Sequence, residues 1–78
     1  MTFSSDAVGK TIRKLRKKKR LSQEVLSGLA GIGRTHLSSI ELGQKSANLE
    51  TVWKIALALD MMPSDFLRCV EESIEKDE

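Results

Sequence analysis

Apolar residues recur along this chain at three- and four-residue spacing, in short blocks separated by turn signals, and no stretch sustains the two-residue alternation of a strand. The pattern predicts an all-α chain of five helices. The first runs from about Asp6 to Lys19, with Ser5 as its N-cap and Val8, Ile12 and Leu15 on one face. The second starts after Ser22, whose hydroxyl suits an N-cap. It presents Val25, Leu26, Leu29 and Ala30 inward and ends before Gly31. The third spans about Arg34 to Leu42, buries Leu37 and Ile40, and stops at Gly43. A loop, Gln44 to Ala47, leads to Asn48 as the cap of a fourth helix. Its buried stripe is Leu49, Val52, Ile55, Ala56 and Leu59, with Trp53 flanking it. Pro63 suits the first position of a fifth helix, where a missing N–H costs nothing. Phe66, Leu67, Val70 and Ile74 continue it, and its acidic end is expected to fray.

Composition narrows the classes. At 78 residues the chain is expected to form one domain, 1–78, too small to enclose a large cofactor. A domain of this length buries only roughly 60–65% of its unfolded surface, so a second subunit would add usefully to its core. With 40% hydrophobic and 31% charged residues, one Pro and five Gly, the chain has the make-up of a folded globular protein. Cys69 has no cysteine to pair with, no leader pattern opens the chain, and Asp60 interrupts the longest apolar run far short of the ~20 residues that span a bilayer. A cytoplasmic protein without a membrane segment is expected. His36 and Cys69 cannot supply a four-ligand zinc site and no glycine-rich phosphate loop occurs, so no metal, cofactor or small-molecule ligand is expected. His36 with Ser38 or Ser39 on one helix lacks an oriented third group and an oxyanion hole, which leaves no catalytic constellation.

The net charge is only +2, but it is unevenly spread. Residues 1–45 carry ten Lys and Arg against three acids, and residues 60–78 carry seven acids against Arg68 and Lys76. Such polarity suits a body that approaches a polyanion with its N-terminal half; equally, it describes a charged helix face followed by a solvating tail.

Two helices joined by a short glycine-containing turn define a helix-turn-helix, and Gln23 to Ile40 meet that definition. The segment LSQEVLSGLAGIGRTHLSSIELG closely resembles the lambda-repressor and Cro-like helix-turn-helix family, the Xre type. The likeness extends from Val8 to Leu67, through Gly9, Ile12, Leu15 and Arg16 in the first helix and KIALALDMMPSDFL near the end. It implies a compact five-helix DNA-binding domain and a transcriptional regulator, similar to the small stand-alone controllers of restriction–modification genes and to short phage repressors. Ser27 stands where the family pattern usually has Ala, Gly33 where a capping Ser, Thr or Asp is common, Asp60 where glycine is frequent and Met62 where a Ser cap is frequent.

The resemblance implies base-edge contacts from the first, second and sixth residues of the third helix, here Arg34, Thr35 and Ser39. The chemistry agrees: Arg can bond guanine O6 and N7 bidentately, Thr can touch a thymine methyl, and Ser is less selective. Outside such a motif Arg34 would be a solvated charge or a partner of Ser38, and Thr35 and Ser39 ordinary surface residues. The resemblance also implies phosphate contacts from Gln23, with Ser22 beside it at the start of the second helix, where a helix N-terminus suits an anion, and from Gln44, Lys45 and Ser46 after the third. Ser38 and His36 are further expected contacts, the latter alternatively part-buried. The basic run Lys17 to Arg20 would add long-range attraction. In the family the arginine corresponding to Arg16 pairs with the glutamate after the recognition helix, here Glu41, which braces one helix on another.

At this length no second, ligand-sensing domain is expected, so regulation would run through amount, dimerisation or a partner. A homodimer would place two recognition helices ~34 Å apart on a pseudo-palindromic double-stranded operator. Trp53, Met61, Met62, Pro63, Phe66 and Val70 are the expected interface, Phe66 alternatively closing the core. The rival function is an adaptor or antirepressor that keeps the fold and binds protein. A membrane-surface helix over Lys10 to Arg20 has too narrow an apolar face.

Overall fold

The computed structural model describes residues 1–77 and contains five helices, with no strand among those residues: α1 (Ser5–Lys18), α2 (Gln23–Ala30), α3 (Arg34–Glu41), α4 (Leu49–Ala58) and α5 (Pro63–Asp77). Local chemistry sets most of these boundaries. The Ser22 hydroxyl accepts from the Val25 N–H at 3.0 Å, and the Asn48 side chain accepts from the Thr51 N–H at 2.8 Å. Gly31 ends α2 in the left-handed conformation at φ 70°. Pro63 is the first residue of α5, as expected.

α1 begins one residue earlier than the pattern suggests, because Ser4, not Ser5, is its cap and accepts from the Ala7 N–H at 3.1 Å. This choice puts Phe3 just before the cap and Val8 four residues into the helix, and both line one groove. That is the arrangement of a hydrophobic staple, which a cap at Ser5 would lose. The acidic end of α5 does not fray within the described residues; the helix is continuous to Asp77. Two residues without glycine's freedom take positive φ where helices end, Arg20 at 59° after α1 and Asp60 at 60° after α4. Asp60 thus adopts the conformation for which the family pattern favours glycine.

Every helix contributes to one core. Ile12, Leu26, Leu37, Ile40, Ile55, Leu59 and Phe66 are fully enclosed, with Val8, Ala30, Val52, Ala56 and Val70 around them. α1 packs on α3 and α5, α2 on α3 and α4, and α4 on α5. The buried face of α2 is Leu26, Ser27 and Ala30, and Val25 and Leu29 are exposed rather than inward. An eight-residue helix with apolar residues at both 25/29 and 26/30 has two possible phases, and the chain takes the second, with Leu26 and Ala30 buried on either side of the small, buried Ser27. Its hydroxyl is satisfied by donating to the Glu24 carbonyl at 3.0 Å, so the substitution for alanine leaves no orphan group. Leu49, in the first turn of α4, and Leu67 are likewise exposed. Of the residues expected at an intermolecular surface, Phe66, Val70 and Pro63 lie inside this chain, closing the core between α4 and α5. Met61 is half-buried against the same core, while Trp53 and Met62 face outward.

Candidate nucleic-acid interface

The site is built on α3, whose two sides are sharply divided. Leu37 and Ile40 are completely buried and fix the helix to the core, while Arg34 and Thr35 at its N-terminal end are exposed and His36, Ser38 and Ser39 half-exposed. Gly33 caps α3 without a side-chain hydrogen bond, leaving its first amides open. An outer face of short polar residues and one arginine is narrow enough to enter a major groove of ~12 Å.

α1 sets how deeply α3 is seated. Gly9 faces the end of α3 so closely that a Cβ there would lie 2.3 Å from the Ile40 carbonyl oxygen and 2.6 Å from that of Glu41. Only a residue without a side chain permits this backbone-to-backbone approach. Two turns further along α1, Arg16 donates from Nε to Glu41 Oε2 at 2.7 Å and from its second terminal nitrogen to Oε1 at 3.0 Å. Its remaining terminal nitrogen donates to the Leu21 carbonyl at 2.8 Å. Both side chains are at most one-tenth exposed. The hydrogen bond to Glu41 holds the Arg16 guanidinium above its ordinary range; burial opposes this, and the carboxylate charge adds to it. A raised folded-state value stabilises fully below the unfolded one and is lost only as pH rises through it, so this contribution stays constant across neutral and moderately alkaline pH.

Gln23, expected at a phosphate, joins the same network: its amide donates to Glu41 Oε1 at 3.0 Å. Three helices therefore meet at one carboxylate. Gln23 keeps a second amide hydrogen, and with Ser22 it stands at the tip of α2, where the first amides have no preceding turn. The loop after α3 is also fixed. The Gln44 and Lys45 amides donate to the Ser39 carbonyl at 3.0 and 3.4 Å, and the Ser46 and Ser5 hydroxyls share a hydrogen bond of 2.6 Å. The Gln44, Lys45 and Ser46 side chains remain exposed beside α3.

The structure brings Gln23 and Ser38 to one groove; Ser22 caps α2, Arg34, Thr35, His36 and Ser39 lie on α3, and residues 44–46 lie in the loop that follows. Trp53, Met61 and Met62 lie elsewhere, on α4 and the turn after it. Sequence reasoning did not single out Arg13, which lines one groove with Arg16, Gln23, Ser38, Glu41 and Leu42. Its place three residues before Arg16, on the same side of α1, was the available signal. Among the described residues no cluster of three or more His, Cys, Asp or Glu could hold a metal, and no helix is long and apolar enough to cross a membrane.

Known proteins share both the motif and the fold. A helix-turn-helix family model matches residues 12–67. Control protein C.BamHI of Bacillus amyloliquefaciens is 37% identical over 60 residues, covering 76% of this chain and 74% of that one. The restriction–modification controller C.AhdI of Aeromonas hydrophila is also 37% identical, with a TM-score of 0.77 over 80% of this chain and 94% of that one. The wild-type controller C.Esp1396I superposes with a TM-score of 0.87 at 25% identity, over 97% and 99% of the two chains. That protein has also been solved bound to a 25 base pair operator site. With the family model matched over 12–67 and two controllers at 37% identity, the chain belongs to the helix-turn-helix family.

Proposed function

We propose that this chain is a sequence-specific regulator of transcription that binds double-stranded DNA with α3 in the major groove. The observation that carries the reading is the division of α3: Arg34 and Thr35 exposed at its leading end, Leu37 and Ile40 immobilised behind them. Arg34 discriminates guanine, Thr35 and Ser39 add weaker base contacts, and Ser22, Gln23, His36, Ser38, Gln44, Lys45 and Ser46 set register on the phosphates. Residues 1–78 act as one DNA-binding unit, and a cytoplasmic location suits that role.

The active form is a homodimer. Its surface is the outer face of α4, where Leu49, Trp53 and Leu57 recur every fourth residue at 64%, 51% and 57% exposure, with Met62 nearby. Glu50 and Lys54 flank this stripe, so an antiparallel second copy meets opposite charges. The relation to C.Esp1396I, which occupies a 25 base pair operator site, supports an extended site read by more than one copy.

Selection of bound fragments from random duplex DNA at two salt concentrations, with sedimentation of the free protein, tests this. An enriched inverted repeat and a mass of two chains are expected, with affinity falling steeply as salt rises. Absence of enrichment from a folded protein would overturn it in favour of a protein-binding adaptor.

A further inference from the structure

We propose that Arg13, Gln23 and Ser38 form a single notch that takes one DNA backbone phosphate, with Arg13 supplying its charge. The proposal rests on the DNA-binding reading and extends it to a residue outside the motif. The three side chains come from α1, α2 and α3 and line one groove whose floor is the Arg16–Glu41 pair.

The floor makes the groove acceptable to an anion. A bare carboxylate would repel phosphate, but Glu41 receives Arg16 on both oxygens and Gln23 on one of them, and its side chain is only 3% exposed. Arg16 and Glu41 cancel in charge, so the formal charge remaining in the groove is that of Arg13. The donors are also suited to the ligand. A phosphodiester presents two non-bridging oxygens, and the rim offers an exposed guanidinium, the free amide hydrogen of Gln23 and the Ser38 hydroxyl. Glu41 acts here as a positioning residue, because its bond to Gln23 fixes which way that amide faces. Ser38 lies one turn after Arg34 on α3, so a phosphate in the notch would sit beside the strand whose bases α3 reads.

The test uses the whole chain and a fluorescein-labelled duplex of mixed sequence, since phosphate contacts do not depend on sequence. Anisotropy titrations over a salt series give the slope of log affinity against log salt. Arg13→Gln is expected to reduce that slope by about 0.9 per protomer. Lys17→Gln, the same charge change on the exposed basic run, is expected to alter it by clearly less. The double variant Arg13→Gln with Ser38→Ala should lose less affinity than the sum of the single losses, because both contact one phosphate. Thermal melts of Arg13→Gln should match the wild type. Equal slope changes for Arg13→Gln and Lys17→Gln, or strict additivity with Ser38→Ala, would overturn the notch while leaving DNA binding intact. Failure of the wild type to bind any duplex would instead overturn the reading beneath it.

Discussion

The junction of α1 with α3 and the outer face of α4 treat their side chains in opposite ways. At the junction, backbone meets backbone at Gly9, the Arg16 and Glu41 charges are buried and paired, and among the described residues no buried side-chain nitrogen or oxygen lacks a partner. On α4, three large apolar residues stand more than half exposed on one line. The first region is completed by this chain alone. The second leaves apolar surface in water that a further molecule would cover. The lesson is that the chain devotes its internal precision to placing α3 and leaves its apolar surface open on α4, the face proposed for assembly.

The comparison breaks most severely at the carboxylate. Glu41→Ala strands the buried Arg16 guanidinium and should cost about 3–5 kcal/mol in urea unfolding. A loss under about 1 kcal/mol would mean that the pair does not hold the junction. Gly9→Ala comes next. In an open helix this change gains about 1 kcal/mol, but here the methyl meets the Ile40 and Glu41 carbonyls, and a net loss of about 1–3 kcal/mol is expected from the same measurement. A gain in stability would show that the approach of α1 to α3 is not tight. Asp60→Gly relieves a left-handed residue outside both regions and should raise stability by about 0.5–1 kcal/mol. It should change neither DNA affinity nor sedimentation mass. The smallest stability effect belongs to the open face: Leu57→Lys should move unfolding by no more than about 0.5 kcal/mol. The same variant should shift the sedimenting species to one chain, and retention of the dimer would place the interface elsewhere.

The sequence revealed much of the fold because helix caps and four-residue spacing are local. Ser22, Asn48, Gly31 and Pro63 occupy the positions their chemistry predicts. Phase was harder. Leu26 and Ala30 compete with Val25 and Leu29 for the inner face of α2, and only the neighbouring helices decide between them. Adjacent serines offer two caps for α1, and the packing of Phe3 with Val8 in one groove favours Ser4. For the candidate site, the Arg16–Glu41 pair follows the family resemblance, and the structure closes it at 2.7 Å. The Gln23 bond to Glu41 joins residues 18 apart in sequence and the Arg13 groove joins three helices, relations that no spacing along the chain encodes. The expected interface misplaced Phe66 and Val70 for a similar reason: an apolar residue on α5 serves the core and a partner equally well in sequence.

The division of α3 also has an evolutionary consequence. Its anchors, Leu37, Ile40 and Glu41, are separate positions from Arg34 and Thr35, which contribute little to folding because they lie in solvent. Substitutions at the exposed pair can therefore accumulate under nearly constant stability. On the proposed reading of Arg34 and Thr35 as base contacts, recognition can diverge between descendants of one ancestral chain, each acquiring a distinct target, without any of them passing through an unfolded intermediate in sequence space.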